Sequence, residues 1–585
     1  MAYQPNNPLM IQSDMSVLFE VDHPDATTIR HVLSDFAELE KSPEHVHTYR
    51  ITPLSLWNAA ASGRTLEQIL DLFEQYSKFD IAPNVIQEIR DQFDRFGLLT
   101  LTREGDRLIL VSQDPSILRK VFRFKSMKPY VAEWIDEVHV AVTASNRGRL
   151  KQDLIKIGYP VQDLAGYTEG SPLPFQLRES CLSGEPFALR TYQTVAVDSF
   201  YAGGSSRGGS GVLVLPCGAG KTVIGIAAAA KIGAETLILT SSVTAARQWI
   251  AEILDKTTVR EDQIGEYSGA QKVIRPITVA TYQIVSRNSG KAVQDHLNLF
   301  NERNWGLIIY DEVHLLPAPV FRVTADIQAR RRLGLTATLI REDGLESDVF
   351  TLIGPKKYDV PWKELERSGW IATADCREIR VALEEQEQIN YAAANARTQA
   401  RLAAEANGKN TVVKRLLQKH CEDQVLIIGQ YLSQLKKLQQ QIQAPMITGQ
   451  TSMKNRDELY HKFRTGAIHC LIVSKVANFA IDLPDANVAI QISGQFGSRQ
   501  EEAQRLGRIL RPKKQENQAY FYSLVAKNTK EQEFAMNRQR FLTEQGYAYR
   551  ITEALPAESD QVTKEVNASI ASLDAYRQKK RKLEE

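Results

Sequence analysis

The chain has 585 residues, 43% of them hydrophobic and 24% charged, which is too apolar for a disordered tail and long enough for about four structural units. Lys and Arg number 72 against 70 Asp and Glu, so no global basic field marks a nucleic-acid partner, and phosphate binding has to come from local patches. The five cysteines, Cys181, Cys217, Cys376, Cys421 and Cys470, stand apart without a CxxC pair, which argues against a disulfide framework or a zinc knuckle, and no apolar run approaches the roughly 18 residues of a membrane span; a soluble, cytoplasmic protein with no membrane contact is expected.

Along the chain, residues 53–123 read as helices (PLSLWNAAASG, RTLEQILDLFEQYSK, APNVIQEIRDQFDRFG) followed by two alternating runs, LLTLTREGDRLILVS, around Glu104-Gly105-Asp106. Helices closed by a hairpin wing make 1–130 a winged-helix-like domain, with a small adaptor domain as the alternative. His45-Val46-His47 reads as a surface loop, not as a metal site. Residues 131–185 form a second small unit, with strand-like VHVAV, a helix around RGRLKQDLIKIG and a break at Tyr159-Pro160. From about 211 to 352 the β-rich runs GVLVL, TLILTS, ITVATY, GLIIYD and RLGLTAT alternate with helical segments, and a second series (VLIIG, CLIVS, NVAIQIS, YFYSLVA) runs from about 424 to 526. This is how parallel βαβ units read, and it gives two α/β domains, at 186–360 and 361–552, the second with a helical, Ala-rich insertion at about 384–420. The stretch 553–585 is a polar tail with a basic cluster, Arg577 to Lys582, which reads as solvated.

The run GVLVL leads into Pro216-Cys217-Gly218-Ala219-Gly220-Lys221-Thr222 and then the helical VIGIAAAA. A glycine-rich turn lets the backbone N–H groups of Gly218, Ala219 and Gly220 close around phosphates at a helix start; Lys221 reaches the β- and γ-phosphates and the Thr222 hydroxyl can ligate magnesium. Leu215 stands where the consensus has its first glycine. Such a loop needs one carboxylate for the metal and another for water at the end of a neighbouring strand. Leu307-Ile308-Ile309-Tyr310 followed by Asp311-Glu312-Val313-His314 supplies them, Asp311 for magnesium and Glu312 as general base. The same tetrapeptide at Asp136-Glu137-Val138-His139 comes after no buried run and precedes the loop in the chain, and reads as an exposed helix end or strand entry.

Two further segments go beyond a nucleotide fold. Thr336 and Thr338, in Leu333-Gly334-Leu335-Thr336-Ala337-Thr338, place hydroxyls where they could relay the nucleotide state. In Gln504-Arg505-Leu506-Gly507-Arg508-Ile509-Leu510-Arg511, Arg508 and Arg511 share a helical face and could reach a γ-phosphate across a cleft. The order of these motifs resembles the superfamily-two helicases, and within them the XPB-type DNA repair helicases. Leu189-Arg190-Thr191-Tyr192-Gln193 is similar to the family's LRxYQ element, in which the glutamine reads adenine. Arg341-Glu342-Asp343 matches its RED triplet, implicated in strand separation. The 384–420 insertion resembles its thumb, Ser474 to Pro484 its fifth motif (with Ala480 where many helicases carry glycine), and Phe521 through Arg550 its closing stretch. The blocks at Thr48–Trp57 and 147–160 resemble the helicase-associated N-terminal domain and the damage-recognition-like domain.

The resemblance implies two tandem RecA-like domains, small α+β N-terminal domains and a compact prokaryotic form. It implies a 3′–5′ DNA helicase, active in repair, that uses ATP and Mg²⁺. ATP would be held by Arg190, Gln193, Gly218, Ala219, Gly220, Lys221 and Thr222 on one wall, with Gln504, Arg508 and Arg511 on the other. Around Thr240 to Thr244, Thr281 and Thr448 to Thr451, strand contacts are expected from hydroxyls and backbone amides on phosphates, which ignore base identity. The partners expected are a single strand within duplex DNA and a separate nuclease, and the motor is expected to be monomeric. Three rival readings stay open at this point: a duplex translocase that does not separate strands, a DExH RNA helicase, and an ATP-gated DNA anchor.

Overall fold

A computed structural model describes residues 3–41, 45–105, 107–143, 146–167, 169–205, 208–216, 218–269, 271–286, 299–316, 331–337, 346–360, 362–474, 486–494, 506, 507, 509, 517–547 and 549–554. The chain forms two compact units: the first comprises Met1–Ile371 and Arg540–Tyr547, and the second begins at Ala372.

The first unit opens with Leu9–Ile11 (β1), Ser16–Glu20 (β2), Ala26–Phe36 (α1), Glu38–Lys41 (β3) and Val46–Arg50 (β4), the strands forming an antiparallel sheet in the order β1-β2-β4-β3. Strand alternation turns Val17, Phe19 and Tyr49 inward against Ile29, Leu33 and Phe36 of α1. The same alternation corrects the surface-loop reading of His45-Val46-His47, since His47 lies in β4 and is 4% exposed. Helices Pro53–Ser62 (α2), Leu66–Tyr76 (α3) and Pro83–Phe93 (α4) come next. Thr52 and Thr65 open the first two with reciprocal capping boxes to Ser55 and Gln68, and Gly63 stops α2 at φ +94°.

Beyond them lie Leu99–Glu104 (β5), Arg107–Ser112 (β6), Pro115–Val121 (α5), Val131–Trp134 (β7), His139–Val142 (β8), Arg147–Lys156 (α6) and Val161–Asp163 (β9). The expected hairpin is β5–β6, but it is not a wing that closes a domain at 130. Leu108 of β6 pairs with Val142 of β8, and β5 pairs with β9, in one five-stranded sheet. A lone hairpin buries too little apolar surface to stand by itself; Leu99, Leu101 and Leu110 share a core with Val140, Leu150 and Leu154. The boundary expected at 130 therefore falls inside this sheet. The early Asp136–His139 copy is the exposed turn between β7 and β8, where Asp136 Oδ1 accepts the N–H groups of Val138 and His139.

Thr191–Tyr201 (α7) leads into the first motor sheet: Ser210–Val214 (β10), Lys221–Ile232 (α8), Thr236–Thr240 (β11), Val243–Lys256 (α9), Ile264–Tyr267 (β12), Ile277–Thr281 (β13), Leu307–Asp311 (β14), Arg331–Thr336 (β15) and Lys356–Asp359 (β16). All seven strands run parallel in the order β12-β13-β11-β14-β15-β10-β16. Helices cover a parallel sheet on both faces, which is why these strands read as unbroken apolar runs. The first unit extends past the expected boundary at 360, because Trp362, 1% exposed, packs its ring 6.2 Å from that of Tyr547.

The second unit contains Thr373–Val381 (β17), Val425–Gly429 (β18), Met446–Ile447 (β19), Cys470–Ser474 (β20), Val488–Gln491 (β21), Gln518–Ala526 (β22) and Tyr549–Glu553 (β23). They form a second parallel sheet, ordered β19-β20-β18-β21-β22-β17-β23. Strand for strand, β17 through β23 take the places that β10 through β16 take in the first. Helices Glu385–Ala393, Ala396–Ala404 and Asn407–Lys419 fill the expected insertion, and the last sinks Val412, Val413 and Leu416 into the core. Glu553, placed in the tail by sequence, ends β23, and 555–585 lies outside the described residues.

Candidate nucleotide site

β10 delivers the chain through Leu215 and Pro216 to Gly218 and Gly220, which stand at φ +84° and +74°. A side chain at Gly220 is excluded twice: the left-handed backbone disfavours it, and its Cβ would lie 2.7 Å from Gln193 Nε2. The turn ends at Lys221, the first residue of α8, so the N–H groups of that helix start face the loop. Leu215 is fully buried and its N–H donates to Thr336 O, which gives a leucine at the first consensus position a core role.

The arginine and glutamine of the upstream element close on the same loop. Gln193 Nε2 donates to Ala219 O at 3.1 Å while its Oε1 accepts the Arg190 N–H at 2.9 Å. Tyr192 OH also donates to Ala219 O, at 2.8 Å, and receives Arg190 Nη1 at 3.1 Å.

Across the sheet, β14 ends at Asp311, and Glu312 comes directly after it in the left-handed region at φ 50°, ψ 55°. A non-glycine residue held there is strained, and such strain gathers where side chains have to be aimed. Glu312 Oε1 lies 3.7 Å from Lys221 Nζ. Asp311 Oδ2 accepts the Trp249 indole N–H at 2.9 Å. Burial, reinforced by the neighbouring Glu312 charge, pushes the Asp311 carboxyl up to about 6, against the pull of Trp249 and Lys221. Two adjacent carboxyls, with Glu312 Oε2 buried and accepting no hydrogen bond among the described residues, suit a hard cation. His314 joins this strand end to the next: its Nδ1 is 2.8 Å from Thr336 Oγ1 and 3.5 Å from Glu312 Oε2.

The structure thus brings together Arg190, Gln193, Gly218, Ala219, Gly220, Lys221, Thr222, Asp311, Glu312 and Thr336. Sequence reasoning misses Trp249 and Tyr192 as functional residues: in sequence Trp249 is one apolar position of an amphipathic helix. Its ring also covers Gly225 of α8, where a Cβ would lie 2.5 Å away. Three threonines expected to serve DNA or coupling are not on the surface. Thr240, Thr281 and Thr336 are 0%, 2% and 0% exposed, and the Thr240 hydroxyl is spent on Ser242 O and Ala280 O. Their strands are buried on both faces, so a hydroxyl at a strand end is satisfied internally. The direct contacts expected from the Thr240 and Thr281 hydroxyls are corrected accordingly. Thr448, half-buried, accepts the Gln450 N–H in the turn before helix Met453–Arg464. Thr338, Arg341, Glu342, Asp343, Gln504, Arg508 and Arg511 lie outside the described residues, as does 475–484 of the fifth motif. Leu506 and Ile509, which flank Arg508 in sequence, are fully buried.

A phosphate loop facing an Asp-Glu strand end, on a parallel sheet whose topology recurs in the second unit, defines an ATPase motor of two RecA-like domains. Residues 365–582 match the family described as ERCC3/RAD25/XPB C-terminal helicase. Residues 186–341 match the one described as Type III restriction enzyme, res subunit, and 9–136 one described as Helicase conserved C-terminal domain. The DNA 3′-5′ helicase XPB of Kineococcus radiotolerans is 52% identical over 94% of this chain and 97% of its own. That of Mycobacterium tuberculosis is 53% identical over 94% and 98%. A subunit named general transcription and DNA repair factor IIH helicase/translocase subunit XPB, from Enterocytozoon bieneusi, is 34% identical over 93% and 92%. The chain belongs to the XPB family of ATP-dependent DNA helicases.

Proposed function

We propose that this chain is a 3′–5′ DNA helicase that spends ATP on strand separation in DNA repair. The observation that carries the reading is the Lys221–Glu312 pair beside the buried Asp311 carboxyl, at the ends of two strands, β10 and β14, that β15 separates in one parallel sheet. Gly218, Ala219 and Gly220 cradle the phosphates with their backbone N–H groups, and Lys221 draws charge from the β- and γ-phosphates. Glu312 turns from Lys221 to the attacking water and takes its proton. Asp311 and Thr222 present the hard oxygen donors that magnesium prefers, and the ion, when bound, neutralises phosphate charge. Gln504, Arg508 and Arg511 are assigned to the γ-phosphate, where a supplied arginine contributes roughly 10³–10⁵ in turnover.

The His314–Thr336 hydrogen bond supports a relay, since it ties the Glu312 strand end to the segment that leads into Thr338 and Arg341-Glu342-Asp343. Contacts with the strand fall to backbone groups at the strand ends and to Thr448. No described helix is long and apolar enough to cross a membrane; a monomeric, cytoplasmic motor working beside a separate nuclease completes the proposal.

Strand displacement on a 3′-tailed duplex, titrated with ATP, tests it. Displacement that rises with ATP and disappears in Arg341→Ala supports the reading. Tighter DNA binding with ATP and no displacement would make the protein an anchor, and ATP-driven movement on blunt duplex alone would make it a translocase.

A further inference from the structure

Trp370 belongs to no motif, yet the fold aims it at the nucleotide site. Helix Trp362–Arg367 ends with Gly369 at φ +71°; the Gly369 N–H returns to Glu366 O and the Trp370 N–H to Leu365 O. This paired closure fixes the residue after the glycine relative to the helix. The indole it positions stacks under the Arg190 guanidinium, 4.5 Å from the ring centroid, and 6.5 Å from the Tyr192 ring. Arg190 and Tyr192 are in turn hydrogen-bonded to each other and, through Tyr192, to Ala219 of the phosphate loop. Trp370 remains 39% exposed. By contrast Trp305 and Trp362, whose rings only pack in the core of the same unit, are each at 1% or less.

We propose that Trp370 is a base-stacking residue of the nucleotide site: with Arg190 and Tyr192 it forms the aromatic–cationic platform that takes the purine base of the triphosphate. The inference rests on the reading of Arg190 and Gln193 as the base end of that site. Stacking on aromatic and guanidinium planes is tolerant of base identity and contributes substantially to nucleotide affinity. Trp370 also stands two residues before Ala372, where the second unit begins.

The test is steady-state ATP hydrolysis by the full-length protein with the variants Trp370→Ala and Trp370→Phe, beside Arg190→Ala and Gln193→Ala. For Trp370→Ala the KM for ATP rises about tenfold, kcat stays within about twofold, and inhibition by inorganic tripolyphosphate, which has no base, is unchanged. Trp370→Phe recovers most of the affinity, and the change in indole emission on ATP binding disappears in it. An unchanged KM in Trp370→Ala, or a loss of tripolyphosphate inhibition equal to that of ATP affinity, overturns the proposal. If Arg190→Ala and Gln193→Ala raise KM while Trp370→Ala does not, Trp370 alone has been misassigned. If none of the three raises it, the base end of the site has been misplaced and the proposal falls with it. Should Trp370→Ala not fold, Trp370→Phe decides by its emission: a nucleotide-dependent change equal to wild type rejects the stacking role.

Discussion

The two motor sheets share one topology and differ in the segments that leave equivalent strands. In the first, β10 runs into the phosphate loop and β14 into Asp311-Glu312, leaving Lys221 and Glu312 3.7 Å apart with their side chains 11% and 21% exposed. In the second, the place after β21 is filled by an internal ion pair. Lys409 Nζ donates to both Glu531 carboxylate oxygens at 2.9 and 2.7 Å and to Ile492 O at 3.1 Å, with the two side chains 0% and 7% exposed. Burial holds the Lys409 ammonium below its usual range, against the pull of Glu531. Both units therefore set a lysine against a carboxylate near one sheet end. One pair is loose and open to a ligand; the other is closed and saturated by its own backbone. Identical scaffolds thus carry chemistry or only cohesion according to their loops.

The largest effect that could break this comparison is the loss of Lys221. Lys221→Ala is expected to abolish ATP hydrolysis and leave the unfolding free energy within about 0.5 kcal/mol of wild type, the usual range for a substitution away from the core. Lys409→Met is expected to do the reverse: about 3–5 kcal/mol of stability lost in urea titration, from the Glu531 charge left buried, with the KM for ATP unchanged in the folded fraction. A third buried base sharpens the contrast because no carboxylate meets it among the described residues. Burial, aided by Arg30, holds His47 down to about 4. The unfolded chain then takes the proton first as pH falls, so this contribution is complete above about 6.5 and is lost on descending towards 4. His47→Leu is expected to remove about 2 kcal/mol of the stability lost between pH 7 and pH 4.5, read as urea midpoints. The smallest effect concerns Thr240. Its hydroxyl serves two carbonyls, so Thr240→Val costs about 1 kcal/mol of stability and leaves the affinity for single-stranded DNA unchanged; a loss of DNA affinity at unaltered stability would return that residue to the DNA surface.

The parts of the molecule legible in sequence are those where one physical demand dominates. Buried parallel strands such as Val212–Val214 and Leu307–Tyr310 must be apolar throughout, and a phosphate loop must have glycines where φ is positive, as at Gly218 and Gly220. The edge strands of the first motor sheet are not legible in this way, because Ile264–Tyr267 is short and Lys356–Asp359 is half-exposed and polar. The four-stranded N-terminal sheet escapes sequence reading for the same reason, with β1 only three residues long. Pairing between β6 and β8 joins segments that local pattern separates at residue 130. At the site, chemistry-bearing residues are legible and their supports are not. Trp249 on Asp311, His314 on Thr336 and Trp370 under Arg190 are contacts between segments that carry no common spacing. Burial is the quantity least visible: the three threonines at strand ends look like surface hydroxyls until both faces of the sheet are covered.

The most direct measurement is single-stranded-DNA-stimulated ATP hydrolysis by Glu312→Gln and Glu531→Gln side by side, with ATP affinity and the denaturation midpoint recorded for each. Glu312→Gln should bind ATP as wild type does and hydrolyse it about 10²–10⁴-fold more slowly; Glu531→Gln should lose stability yet turn over ATP within a few fold of wild type once folded. Wild-type hydrolysis by Glu312→Gln, or lost hydrolysis in Glu531→Gln at an unchanged midpoint, would contradict the division of labour between the two units.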